Sequence, residues 1–126
     1  MKILIVDDIK GWRDYHYQIL KNIIPNAKFD FAESAKMGYD KLLENNDTPF
    51  DLIITDMQME SDFEPKYAGE WLIEQIKSFK NYSSTNIIII SAAYSIANIA
   101  NFYNVNYLRK STAQNFPDAY NTLVEK

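Results

Sequence analysis

Short, β-branched apolar runs alternate along this chain with stretches in which apolar residues recur every three or four positions. Ile3-Leu4-Ile5-Val6 is continuous rather than alternating, the pattern of a strand buried on both faces of a parallel sheet, and Asp7-Asp8 ends it. From Lys10 to Ile24 the residues Trp12, Tyr15, Ile19, Leu20, Ile23 and Ile24 trace a helical stripe that Pro25-Asn26 stops. Lys28 to Phe31 is a second strand. Ser34 then stands as N-cap of a helix carrying Ala35, Met37, Tyr39, Leu42 and Leu43, and Asn45 to Pro49 is a loop.

Phe50 to Thr55 predicts a third strand, with Asp56 at its carboxyl end. Gln58 to Tyr67 is polar, contains Pro65 and reads as a long loop before a helix from Gly69 to Lys80. Ile87 to Ile90 is the fourth strand, closed by Ser91. A short helix follows from Ser95 to Tyr103, then a short fifth strand, Tyr107-Leu108-Arg109, ending near Lys110. The last helix is expected from about Asn115 to Val124, with Pro117 tolerated in its first turn. Strands alternating with helices predict right-handed crossovers and a five-stranded parallel sheet inside a three-layer α/β/α sandwich.

Composition narrows the chemistry. The 126 residues contain no repeat, low-complexity tract or long linker, so residues 1–126 read as one domain without an effector domain. With no cysteine, disulfides, thiolate zinc sites and cysteine nucleophiles are excluded. A formal charge of −4 argues against direct DNA binding. No apolar run approaches the roughly 20 residues that cross a bilayer, and a soluble, cytoplasmic protein without membrane contact is expected. His16, the sole histidine, lies in the polar and aromatic run Arg13 to Tyr17 and reads as a helix-surface residue.

In open parallel sheets, ligands bind at the carboxyl ends of the strands. There this sequence delivers Asp7 and Asp8, then Asp56, Ser91 and Lys110, from four separate segments. Three carboxylates in one pocket repel each other, and the usual resolutions are a raised pKa or a divalent cation; an oxygen-rich site favours Mg2+, Mn2+ or Ca2+ over zinc or copper. Mg2+ is the usual ion of phosphoryl chemistry, in which an aspartate is a competent nucleophile, a lysine supplies positive charge and a serine hydroxyl donates a hydrogen bond. The plain alternatives are a capping aspartate for Asp7-Asp8, a helix cap for Ser91 and a solvated surface lysine for Lys110.

Over nearly its whole length the chain resembles the receiver domains of two-component response regulators. The resemblance rests on Leu4-Ile5-Val6-Asp7-Asp8, on Leu52-Ile53-Ile54-Thr55-Asp56-Met57-Gln58-Met59, on Ile88-Ile89-Ile90-Ser91-Ala92 and on Tyr107-Leu108-Arg109-Lys110. It implies a flavodoxin-like, doubly wound topology. Asp56 would be the phosphoacceptor and Asp8 a direct Mg2+ ligand, with Asp7 acting through water and Gln58 through its backbone carbonyl. Ser91 and Lys110 would bind the phosphoryl group, and Tyr107 would be the aromatic switch. The implied partners are a histidine kinase or phosphotransfer protein and a downstream target. The target would meet the surface of the fourth helix, fifth strand and fifth helix, where Phe102, Tyr103, Tyr107, Phe116 and Tyr120 supply aromatics. A monomer or weak dimer is expected.

The chain departs from the family in several places. Glu60 stands where a proline is usual, the loop from Asp56 to Gly69 is longer than usual, and Ser111 rather than proline follows Lys110. The interval from Ser91 to Lys110 is short, which predicts a truncated fourth helix, and Ala93 leaves access to the site open. Three other functions fit the same architecture: a docking module that never turns over phosphate, a binder of a phosphate-bearing cofactor, and a phosphatase with an aspartate nucleophile. Asp7-Asp8 would repel the cofactor's phosphate. Asp56-Met57-Gln58 lacks the second carboxylate that a phosphatase would use as general acid.

Overall fold

The computed structural model describes residues 1–59 and 67–124. Five parallel strands, β1 (Lys2–Val6), β2 (Lys28–Ala32), β3 (Leu52–Thr55), β4 (Asn86–Ser91) and β5 (Asn106–Arg109), form one sheet in the order β2-β1-β3-β4-β5. The helices among the described residues are α1 (Lys10–Ile23), α2 (Ala35–Glu44), α3 (Ala68–Ser78), α4 (Ile96–Tyr103), α5 (Lys110–Asn115) and α6 (Ala119–Val124).

Alternate residues of each strand serve opposite faces of the sheet. Leu4, Val6, Ile53, Ile87 and Ile89 pack with Leu42 of α2, Leu72 and Ile76 of α3 and Ile96 of α4. Ile3, Ile5, Leu52, Ile54, Ile88 and Ile90 pack with Leu20 of α1, Ala113 of α5 and Tyr120 of α6. Ile3 to Val6 are each 0% exposed, which is why β1 is written as an unbroken apolar run. Each such side chain contributes about 2 kcal/mol of hydrophobic stabilisation. This is the three-layer sandwich that the strand and helix pattern predicts, in the flavodoxin-like strand order that the resemblance implies.

Local signals act as the sequence implies. The Ser34 hydroxyl accepts a hydrogen bond from the Met37 amide at 3.0 Å and starts α2. α4 is short, eight residues, and ends on Asn104 in the left-handed conformation (φ 56°). Asparagine tolerates that conformation, and the Val105 amide then reaches back to the Ala100 carbonyl at 3.0 Å and leads directly into β5.

Several expectations need correction. β3 begins at Leu52 rather than Phe50, and α3 stops at Ser78, followed by a 3-10 turn at Lys80–Tyr82 instead of a helix running on to Lys80. The single last helix from Asn115 is two: α5 starts directly at Lys110, and Pro117 lies in the break before α6. Lys-Ser-Thr-Ala-Gln-Asn carries no apolar stripe that would announce a helix. His16 is 1% exposed, not a surface residue. It lies four positions from both Trp12 and Leu20 and so falls on the buried stripe of α1; its polarity masked its spacing. Tyr120 is likewise 1% exposed and belongs to the core, not to an outer aromatic surface. Glu60 and Pro65, and with them the middle of the expected long loop, lie outside the described residues.

Candidate functional site

Sheet register builds the site. Val6 pairs with Thr55, so Asp7 and Asp56 leave the sheet side by side at its carboxyl edge, at the switch point between β1 and β3. The ladder continues one step further: the Asp56 amide donates to the Val6 carbonyl at 3.0 Å and the Asp7 amide to the Ala32 carbonyl at 3.1 Å. Asp7 is 1% and Asp56 6% exposed, and Asp8 is partly exposed beside them. One carboxylate oxygen from each of the three lies within 4.8 Å of the others.

The buried Lys110 ammonium closes the pocket from the first residue of α5. Its Nζ donates to Asp56 Oδ2 at 2.8 Å, lies 3.1 Å from Asp7 Oδ2 and sits 5.0 Å from the centre of the Trp12 ring. Burial works against the Lys110 charge, yet the hydrogen bond to Asp56 and the negative charge of Asp56 and Asp7 outweigh it and hold the ammonium above its usual range. Asp7 fares differently. Burial dominates and, with the charge of Asp56 adding to it, pushes its carboxyl up to about 6 despite the Ile9 amide and Lys110. Lys110 is therefore spent mainly on Asp56. Asp7 Oδ2 is buried, with the ammonium near but no aligned hydrogen bond.

Backbone donors fix the remaining oxygens. The Met57 amide donates to Asp56 Oδ1 at 2.7 Å, the Ile9 amide to Asp7 Oδ1 at 3.0 Å, and the Arg13 guanidinium to the Asp7 carbonyl at 2.7 Å. Gly69 at the start of α3 lies against the same segment. A Cβ there would stand 2.2 Å from the Asp56 carbonyl oxygen and 2.7 Å from Met57 Cα, so only glycine allows the helix to approach this closely. Three clustered carboxylates offer only oxygen ligands, which suit a hard divalent cation.

Comparison with known proteins decides the family. The response regulator receiver domain matches residues 3–115. The chain belongs to this family. Among curated proteins no relative matches it. Solved structures share the receiver fold. A response regulator receiver domain protein from Clostridium thermocellum is 28% identical, with TM-score 0.71 over 98% of this chain and 94% of that one. The response regulator TrrA of Thermotoga maritima, in complex with Mg2+-BeF, is 22% identical, with TM-score 0.72 and 97% of each chain covered. Response regulator Rcp1 in its Mn2+-bound form is 18% identical, with TM-score 0.71 over 97% of this chain and 88% of that one. Receivers are signalling modules rather than enzymes in the usual sense, and this one carries the acidic pocket of Asp7, Asp8 and Asp56 with Lys110.

The receiver pocket thus unites four of the residues singled out from sequence. Ser91 ends β4, buried, with its hydroxyl accepting the Ala93 amide at 3.0 Å, so in this state it serves a turn. Gln58 follows the site on an exposed position, and Tyr107 is 39% exposed on β5, outside the core. Sequence reasoning missed Gly69, Arg13 and the contacts of Trp12 and His16. Gly69 is one of only three glycines, a signal that was available; the others depend on tertiary contacts. No helix among the described residues is long and apolar enough to cross a membrane.

Proposed function

We propose that this receiver is a phosphorylation-activated switch that accepts a phosphoryl group on Asp56, in a Mg2+-dependent reaction, from a histidine kinase or phosphotransfer protein. The observation that carries the reading is the clustering of three carboxylates, one oxygen of each within 4.8 Å of the others, beside the buried Lys110 ammonium; among the described residues, the most buried of the three has an oxygen without an aligned hydrogen bond. That donor set fits Mg2+, with Mn2+ as a substitute. Asp8, Asp56 and the Gln58 backbone carbonyl would hold it directly, and Asp7 through water. When bound, the ion neutralises charge on the oxygens of the transferring phosphoryl group.

The chain's own residues do the rest. A carboxylate oxygen of Asp56 attacks phosphorus as the phosphorus–nitrogen bond of a phosphohistidine breaks, leaving an acyl phosphate on Asp56 and returning the imidazole to the donor. Lys110, already at Asp56, pairs with the new negative charge, and the Ser91 hydroxyl leaves the Ala93 amide to donate to a phosphoryl oxygen. Tyr107 packs inward as Ser91 moves, a population shift between two conformers. Output passes through protein contacts at the surface of α4, β5 and the helices after it, where Phe102 and Phe116 are exposed. The site of action is the cytoplasm.

Incubation with acetyl phosphate, with and without Mg2+, followed by intact-mass measurement tests this. A Mg2+-dependent gain of one phosphoryl group in the native chain, absent from Asp56→Asn, is expected. No gain, with beryllium fluoride also failing to bind, would replace the switch with a docking module that works without phosphate.

A further inference from the structure

The buried histidine of α1 has no part in the scheme above, yet it lies against the pocket. His16 is surrounded by aromatic rings, with Trp12 at 5.5 Å and Tyr120 at 5.9 Å between centroids. An aliphatic side chain would fill that space without the cost of burying two ring nitrogens. Nδ1 is 2.7 Å from the Tyr120 hydroxyl, whose partner among the described residues it is. A buried phenol must donate its proton, so Nδ1 accepts and the proton of the neutral ring lies on Nε2. Among the described residues Nε2 has no hydrogen-bond partner, and it lies 4.0 Å from Asp7 Oδ2, which has none there either. A buried N–H and a buried carboxylate oxygen of opposite sign thus face each other about 1 Å beyond hydrogen-bond range.

We infer that His16 is a positioning residue for Asp7: its Nε2–H, fixed by the Tyr120 hydroxyl at Nδ1, closes onto the carboxylate and orients it when Asp7 serves a divalent cation. Asp7 Oδ2 now shares Lys110 with Asp56. Once a cation draws on the Asp7 carboxylate, His16 is, beside the shared Lys110, the donor next to that oxygen among the described residues, and a small shift closes the gap. The inference rests on the reading of Asp7 as part of a cation site. A donor that orients a ligand in this way typically changes metal affinity by about 10- to 100-fold.

The test is a calorimetric Mg2+ titration of the intact chain and of three variants, with thermal melting in EDTA as the check on folding. His16→Leu fills the space without a donor and is expected to weaken Mg2+ binding about tenfold while the chain stays folded, with a melting temperature lowered by the unpaired Tyr120 hydroxyl. His16→Gln restores an amide donor and recovers most of the affinity, and Tyr120→Phe, which frees the tautomer, falls between. Imidazole 15N shifts of the native chain should show the Nε2–H tautomer, with Mg2+ moving Nε2 more than Nδ1. Native Mg2+ binding that is unchanged in His16→Leu, or a native Nδ1–H tautomer, overturns this inference alone. A native chain that binds no Mg2+ overturns the cation-site reading and this inference with it.

Discussion

At the amino-terminal edge of the sheet, polar groups are paired with neutral or charged neighbours. The Lys2 ammonium donates to Asn45 Oδ1 and the Thr48 carbonyl, both at 2.6 Å, and the Lys2 amide donates to Asp51 at 2.8 Å. Asn106 donates to Asn86 at 3.0 Å, and Asn86 to the Leu123 carbonyl at 2.9 Å. At the carboxyl edge three carboxylates crowd together, two of them share the buried Lys110 ammonium, and among the described residues one carboxylate oxygen lacks an aligned donor. Both edges close the same strands, so the fold does not require carboxylates to cluster. An edge arranged for stability satisfies its polar groups with neighbours; an edge arranged for a ligand leaves charge uncompensated until the ligand arrives.

Substitutions at the two edges should therefore differ in size and even in sign. The largest effect is expected for Lys110→Met, which keeps the stem but leaves two buried carboxylates without their cation. Denaturant unfolding in Mg2+-free buffer should show a loss of about 3 kcal/mol. Asp7→Asn should act in the opposite direction. The Asp7 carboxyl in the folded state, at about 6, lies above its ordinary 3.8, so the fold holds this proton more tightly than the unfolded chain does. The resulting stability is complete below about pH 4 and is lost as pH rises through about 6. In EDTA the native chain should gain stability on acidification from pH 7 to pH 5. Asp7→Asn should flatten that dependence, add about 2 to 3 kcal/mol at pH 7 and forfeit the stabilisation that Mg2+ gives the native chain.

Gly69→Ala sharpens the comparison from the backbone side. Its Cβ meets the Asp56 carbonyl and Met57 Cα, atoms that cannot swing aside, so α3 must retreat at a cost of about 1 to 3 kcal/mol. Acetyl phosphate labelling of Asp56 should slow at the same time. The smallest effect belongs to the matched edge: Lys2→Ala should cost under about 1 kcal/mol and leave labelling unchanged.

Much of this was legible in the chain itself. Continuous runs such as Ile3 to Val6 and Ile87 to Ile90 announce strands buried on both faces, and a polar residue directly after each run is placed at the carboxyl edge by register alone. Asp7, Asp8, Asp56 and Lys110 were found for that reason. The family resemblance supplied their proposed roles. What escaped depends on tertiary contacts that no periodicity encodes. His16 looks like a surface residue until Tyr120, 104 positions away, is seen beside it. Lys110 was expected at the end of a strand, whereas it opens a helix with too few apolar residues to be recognised. Gly69 carries its reason in the Asp56 backbone, which the sequence places thirteen positions earlier without showing that the two touch.

The contrast between the two edges is tested most directly by amide NMR spectra of the chain before and after addition of Mg2+ and beryllium fluoride. The account predicts shifts at Asp7 to Ile9, Met57, Ala92, Ala93 and Ser111, and none at Lys2, Asp51, Asn86 or Asn106. Shifts concentrated on the amino-terminal edge, or no shifts at all, would contradict it.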